Sequence, residues 1–95
     1  MLVKTLILGH LGTNCYIVTD ESTLNCAVID PGEETNTIMD YLESNHLSCK
    51  LILLTHGHYD HVGAVYPLAE ETGATVYMNK KDDARYANNP FMAFQ

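Results

Sequence analysis

Residues 50–61 restrict the possible folds and functions of this chain more than any other stretch. Residues 50–55, KLILLT, form a nearly continuous apolar run, which is typical of a strand covered on both faces in a parallel sheet. The sequence THGHYDH begins where the run ends, and it places three of the five histidines and one aspartate within positions 56–61. Because open α/β sheets carry their sites beyond the carboxyl ends of parallel strands, this stretch predicts a parallel strand that leads into a functional site.

The clustered side chains have the character of metal ligands. His56 and His58 are alternate residues, so in an extended segment both imidazoles can point into one cavity. A turn after Gly57 would let Asp60 and His61 reach a neighbouring point. Imidazole and carboxylate suit zinc, iron or manganese, and four such ligands fit two adjacent metal positions better than one. Two alternatives stay open: exposed loop histidines without a ligand, and a metal-free proton relay or pH-sensing cluster.

The rest of the chain predicts an α/β arrangement. Segments rich in β-branched and aromatic residues, joined by short links, predict an antiparallel meander at the start. After the Pro-Gly pair at 31–32, apolar residues recur at helical spacing, so strand–helix–strand units follow. The predicted strands are 2–8, 15–20, 26–30, 50–55 and 74–78; the predicted helices run over about 33–46, from near 66 to a cap at Gly73, and over 79–87.

Length and charge restrict the class of protein. Ninety-five residues predict one domain at most, and a net charge of −7 argues against nucleic-acid and anionic-membrane partners. An odd number of cysteines without a CxxC pair predicts reduced, buried thiols at Cys15, Cys26 and Cys49 rather than a disulfide framework. The first ten residues are too briefly apolar for a signal peptide or a membrane span, so we expect a soluble, cytoplasmic protein.

The motif and its surroundings resemble a known family. THGHYDH is an HxHxDH sequence, which resembles the signature of the metallo-β-lactamase fold superfamily. GTNCYIV at 12–18 and IDPG at 29–32 resemble the glyoxalase II-like branch, the hydroxyacylglutathione hydrolases and their relatives. The resemblance covers nearly the whole chain. It implies an α/β (α+β) fold: half of an αββα sandwich, with a mixed sheet of antiparallel N-terminal strands followed by βαβ units.

The resemblance also implies a site and a reaction. In the family, residues matching His56 and His58 bind a first Zn²⁺, and residues matching Asp60 and His61 bind a second. The counterpart of Asp60 also orients the attacking water, which makes it the candidate catalytic residue. The implied activity is metal-dependent hydrolysis of a small thioester or ester by a metal-bound hydroxide, with Fe or Mn as alternative metals. Alternatives on this scaffold are a lactamase or lactonase and a non-catalytic metal-binding half-domain.

Four further residues are candidates for supporting roles. Metal-bound imidazoles need acceptors that orient them, and Thr55 and Asp30 are candidates for this second layer of contacts. An ordinary strand-end threonine and a turn aspartate are the alternatives. His10 and Asn14, in the sequence GHLGTN, are candidate substrate-proximal residues, although His10 also fits a solvent-facing turn.

The chain departs from the family in length. The later half of family members supplies further metal ligands, but this chain has no histidine after His61, and we do not expect Asp82 or Asp83 to bridge the metals. We therefore expect residues 1–95 to form a single incomplete domain, the N-terminal half, with low hydrolase activity. Its substrate would be a small molecule, and its uncovered sheet face would self-associate. The apolar tail around Phe91 fits a chain interrupted in mid-fold.

Overall fold

The computed structural model describes residues 1–55, 64–78 and 92–94. The elements in chain order are strands β1 (Leu2–Leu8), β2 (Thr13–Asp20) and β3 (Asn25–Ile29), helix α1 (Thr35–Ser44), strand β4 (Ser48–Leu53), helix α2 (Val65–Thr72), and strands β5 (Thr75–Met78) and β6 (Met92–Phe94).

The described strands form one mixed sheet in the order β1-β2-β3-β4-β5-β6. The first three strands pair antiparallel, and β3, β4, β5 and β6 pair parallel. This arrangement confirms the predicted antiparallel meander followed by strand–helix–strand units. Parallel neighbours need a crossover connection, and α1 and α2 supply it for β3–β4 and β4–β5.

One face of the sheet carries the hydrophobic core. Neighbouring strands place Ile17, Val28, Ile52 and Val76 in one row, and each is 0% exposed. The apolar faces of α1 and α2 belong to the same buried cluster through residues such as Ile38, Leu42, Val65 and Leu68. Both helices therefore owe their position to burying an apolar stripe against this side of the sheet.

The opposite face of the sheet is left open by the described residues. Val3 and Ile7 on β1 are 59% and 72% exposed, and Leu51 on β4 is 37% exposed. Ile29 and Leu53 are partly exposed in the adjoining row. Among the described residues, α1 and α2 cover only one side of β4, so the expected coverage of residues 50–55 on both faces is not found there.

Left-handed backbone conformations move three predicted boundaries. The predicted strand 26–30 ends at Ile29 because Asp30 has φ +56°, which is incompatible with an extended chain. The predicted helix from residue 33 begins at Thr35 because Glu34 has φ +58°. It ends at Ser44, before the left-handed His46, rather than at residue 46.

The second helix begins and ends close to the predicted positions. Pro67 lies in the first turn of α2, where its missing amide breaks no helical hydrogen bond. Gly73 follows the helix with φ +72° and donates its amide to Ala69 O at 2.8 Å, so it is the predicted left-handed cap.

The carboxyl-terminal part of the chain gives one correction. No strand was predicted in the apolar tail, but Met92–Phe94 pairs with β5 as a parallel strand. Three residues are too few for a periodic pattern, so the sequence could not indicate this strand. The helix predicted at 79–87 lies outside the described residues, and the boundaries of the single domain stay a prediction.

Candidate functional site

Several loops meet at one edge of the sheet. Because β2 runs antiparallel to β3, the turn between β1 and β2 lies at the same edge as the carboxyl ends of β3, β4 and β5. Backbone bonds continue past the strand ends: Asp30 donates to Leu53 O and Leu54 donates to Tyr77 O, each at 2.9 Å. This edge is the place at which the sequence predicted a site.

Asp30 and Thr55 are in direct contact at this edge. The side chain of Asp30 is buried, and its carboxylate accepts a hydrogen bond from the Thr55 amide at 2.8 Å. The Thr55 hydroxyl donates to the other carboxylate oxygen. A charged acceptor makes stronger hydrogen bonds than a neutral one, so the pair fixes the backbone one residue before His56. The structure thus brings together the two residues predicted to support the metal ligands, and their support of imidazole ligands stays a prediction.

A second bond ties the loop after β3 to the start of α2. Ala64 donates its amide to Pro31 O at 3.1 Å. Thr55 and Ala64 are the residues that flank 56–63, and they are bound to the adjacent residues Asp30 and Pro31. The residues on both sides of the histidine motif are therefore bonded to the same dipeptide, Asp30-Pro31. The left-handed φ of Asp30 turns its carboxylate toward Thr55 in a conformation that aspartate adopts more readily than most residues.

The turn between β1 and β2 is held against the loop after β3. Gly12 donates to Gly9 O at 3.2 Å to close the turn, and Gly9 donates its own amide to Glu34 Oε2 at 2.6 Å. This Gly9 bond, followed by one from the Thr37 hydroxyl, lowers the pKa of Glu34, and the charge of His10 adds to the effect. Gly9 has φ +71°, a conformation that glycine adopts without the strain that a side chain would bring.

His10 and Asn14, the candidate substrate-proximal residues, lie at this edge. His10 is an exposed residue of the turn, and Asn14 is exposed near the start of β2, opposite Ile7. Their contact with a substrate stays a prediction. The sequence did not indicate a role for Glu34, whose carboxylate connects the turn to the loop after β3.

The four predicted metal ligands, His56, His58, Asp60 and His61, lie outside the described residues, as do Asp82 and Asp83. Within 1–55, 64–78 and 92–94, no three histidine, cysteine or acidic side chains converge to hold a metal ion. The donor set of three imidazoles and one carboxylate fits zinc or iron. The residues on either side of 56–63 are hydrogen-bonded to Asp30 and Pro31.

The chain belongs to the metallo-β-lactamase superfamily. The profile of that superfamily matches residues 8–94. Among curated relatives, the hydroxyacylglutathione hydrolase GloC of Haemophilus influenzae is 38% identical over 81 residues, covering 84% of this chain and 38% of that protein. The probable polyketide biosynthesis zinc-dependent hydrolase PksB of Bacillus subtilis is 41% identical over 68 residues, or 72% of this chain and 30% of that protein.

Solved structures agree in fold. The crystal structure of TTHA1623 in a di-iron-bound form matches with a TM-score of 0.75 and 41% identity, covering 84% of this chain and 39% of that one. The chain thus spans less than two-fifths of the length of these relatives. The predicted family, fold class and glyoxalase II-like similarity are confirmed. Neither α1 nor α2 has the length and apolarity needed to cross a membrane.

Proposed function

We propose that the chain contributes one half of the site of a metal-dependent hydrolase that acts on a small thioester or ester. The observation that carries the proposal is the pair of bonds, Thr55 to Asp30 and Ala64 to Pro31, that anchors both flanks of the HxHxDH motif. Membership of the metallo-β-lactamase superfamily and similarity to a hydroxyacylglutathione hydrolase support the choice of reaction.

The residues of the motif have distinct roles in this proposal. His56 and His58 hold one metal ion, and Asp60 and His61 hold the other. When bound, such ions lower the pKa of a coordinated water and polarise the substrate carbonyl. Asp60 in addition accepts a hydrogen bond from the attacking water, which orients it. We propose zinc as the metal, in line with the zinc-dependent hydrolase among the relatives, with iron as the alternative because another relative is di-iron-bound.

Asp30 and Thr55 act through position. A hydrolytic site needs its ligands within a fraction of an ångström of their working geometry, so the backbone that carries them must be rigid. The buried carboxylate holds the Thr55 amide and hydroxyl together, which limits the motion of the backbone next to His56. Both residues are therefore positioning residues, and Asp60 is the residue that we assign to catalysis.

These 95 residues alone would be a poor catalyst. Catalytic zinc usually has three protein ligands and a water, whereas the motif offers two ligands to each metal. No further histidine follows His61 in the sequence. We therefore propose that full activity needs ligands from outside these residues, and that the isolated chain binds metal weakly and turns over slowly.

Hydrolysis by the purified chain tests this function. Zinc-loaded protein is given a glutathione thioester, a lactone and a β-lactam, with and without a chelator. We expect slow thioester hydrolysis, below the typical enzyme range of about 1–10³ s⁻¹, that the chelator and Asp60→Asn abolish and that Asp40→Asn, an exposed change on α1, leaves intact. Preference for the β-lactam or lactone would contradict the substrate class. Fast turnover by a monomer would contradict the incomplete site. Zinc binding without any hydrolysis would favour a non-catalytic metal-binding half-domain.

A further inference from the structure

Two cysteines distant from the site edge are paired across neighbouring strands. Cys26 is the second residue of β3 and Cys49 the second residue of β4, and the parallel register places them opposite each other. Both are only 5% exposed. Neighbouring strands lie about 4.8 Å apart, which is within the range of about 4.4–6.8 Å between the Cα atoms of disulfide-bonded cysteines. The backbone therefore already has a spacing that a disulfide accepts.

The two thiols are also close enough to influence each other. The Cys49 thiol donates to Leu51 O at 3.5 Å, and the pKa values of Cys26 and Cys49 are shifted by their mutual interaction. The register between the strands shifts at Cys26 and Ala27, and such irregularities let a strand twist locally. Both side chains therefore belong to the same buried cluster, in a part of the sheet whose register is irregular.

The thiols differ in reactivity. The hydrogen bond from Cys49 lowers the pKa of Cys26, whereas contact with Cys26 and burial raise the pKa of Cys49. Cys15 is different: burial, followed by the charge of Asp30, raises its pKa to about 12. Since the thiolate is the nucleophile, Cys26 is the attacking group of the pair. A shallow depression of about 300 Å³ is lined in part by Cys26. Because Cys26 is only 5% exposed, its reaction with a small reagent needs local opening of the strands.

We propose that Cys26 and Cys49 form a disulfide modification site, a dithiol that a small-molecule disulfide oxidises to a bridge between β3 and β4. The Cys26 thiolate attacks one sulfur of the reagent and releases one thiolate, leaving a mixed disulfide. Cys49 then loses its proton and attacks Cys26 Sγ, which releases the second thiolate. In total, two protein thiols are oxidised, the reagent takes up two electrons and two protons, and one protein disulfide forms.

The bridge would act on the strands that lead to the site edge. Cys26 and Cys49 lie at the starts of β3 and β4, whereas Asp30 and Thr55 follow the ends of the same strands. Oxidation would close a loop that contains α1 and lock the register of the two strands. It would leave the Asp30–Thr55 contact in place. We expect a higher melting temperature, by about 5 °C or more, without loss of metal binding.

The experiment uses the reduced, folded chain and 2-hydroxyethyl disulfide, a neutral reagent that is unrelated to the proposed substrate. Glu21 and Glu33 lie between the three cysteines, so cleavage after glutamate separates them for mass spectrometry. We expect one intramolecular bond between Cys26 and Cys49, with Cys15 still reduced. Cys15→Ala should keep the bond and the rise in melting temperature, and Cys26→Ser and Cys49→Ser should each lose both.

Other products would overturn the proposal. A bond between Cys15 and Cys26, which close the shorter loop, is the result expected of an unfolded chain, and the same reaction in concentrated urea supplies that reference. Intermolecular bonds, stable mixed disulfides, or three unreactive thiols would each contradict a preformed pair. A Cys26–Cys49 bond that lowers the melting temperature would contradict the spacing argument.

Discussion

Asp30 does more for the proposed site than its place in a turn suggested. Its carboxylate accepts both donors of Thr55, and its left-handed backbone turns the chain so that Pro31 O receives the Ala64 amide. A single buried residue therefore organises the start and the end of the motif segment. Because the carboxylate is buried, water does not compete for these hydrogen bonds, and they stabilise the fold more than exposed ones would.

Replacing Asp30 by alanine tests this role. Asp30→Ala leaves the Thr55 amide without its acceptor and puts alanine at φ +56°, so the free energy of unfolding should fall by about 2–4 kcal/mol. Thr55→Val keeps the shape and the amide bond and should cost only about 1 kcal/mol. Urea unfolding monitored by circular dichroism measures both. Equal losses in the two variants would contradict the proposed importance of the amide bond.

Glu34 gives a prediction that depends on pH. Its pKa in the folded chain lies below the ordinary value of 4.5, so the bond to the Gly9 amide is complete above that value and is lost as the pH falls through the lower folded pKa. The Gly9 amide shift in NMR spectra should follow this titration. Glu34→Gln should abolish the response, and Glu43→Gln, on the exposed side of α1, should not. A midpoint at or above 4.5 would contradict the bond.

Among the helices and strands, the features that depend on residues close together in the sequence were predicted. Segments rich in β-branched and aromatic residues identified β1 and β2, and Pro67 and Gly73 marked the limits of α2. The left-handed conformations of Asp30 and Glu34 were missed because contacts with distant residues stabilise them. The Ala64–Pro31 bond and the Cys26–Cys49 pair depend on how a crossover returns to the sheet, which no local signal encodes.

The candidate site also combines features that neighbouring residues determine with features that depend on contacts between distant residues. The spacing within 56–61 and its position after an apolar strand predict metal ligands, and these stay a prediction. Thr55 and Asp30 were selected because metal-bound imidazoles need acceptors, and the structure shows these two residues in contact. The connection through Glu34 was not predictable, because glutamate at a helix start has an adequate local explanation. The structure replaced that explanation with a contact across 25 positions of sequence.

The cap of α2 provides a test at this scale. An added Cβ at Gly73 would meet nothing within 4 Å, so any cost of substitution comes from the backbone conformation alone. Gly73→Ala should lower the free energy of unfolding by about 1 kcal/mol, and Gly73→Asn should cost less because asparagine tolerates this region. Thermal unfolding of the two variants measures the difference. Identical stability of all three proteins would contradict a left-handed cap.

For the whole molecule, the open face of the sheet decides behaviour in solution. Val3, Ile7 and Leu51 expose apolar surface on this face, although the chain has a net charge of −7 and Asp20 and Lys50 line a depression beside Leu51. A second copy of the chain is the partner available to a purified sample. We propose that two copies associate through this face, since contiguous apolar surface of this kind drives association.

Charge substitutions on that face should separate the copies. Ile7→Lys and Val3→Lys are expected to lower the average mass measured by light scattering at equal concentration, because burying a lysine without a partner is unfavourable. Asn36→Lys adds the same charge on an exposed position of α1 and should leave the mass unchanged. A wild-type chain that is monomeric at high micromolar concentration would contradict association through the open face.

The central claim is that His56, His58, Asp60 and His61 bind metal from a base fixed by Asp30. Titration of the purified, metal-free chain with zinc in a calorimeter, with light scattering to give the number of copies, tests it most directly. We predict up to two zinc ions per chain, loss of one with His56→Ala or His61→Ala, and affinity about tenfold weaker with Asp30→Ala. No zinc binding by the folded chain, or binding that survives replacement of all four residues, would contradict the account.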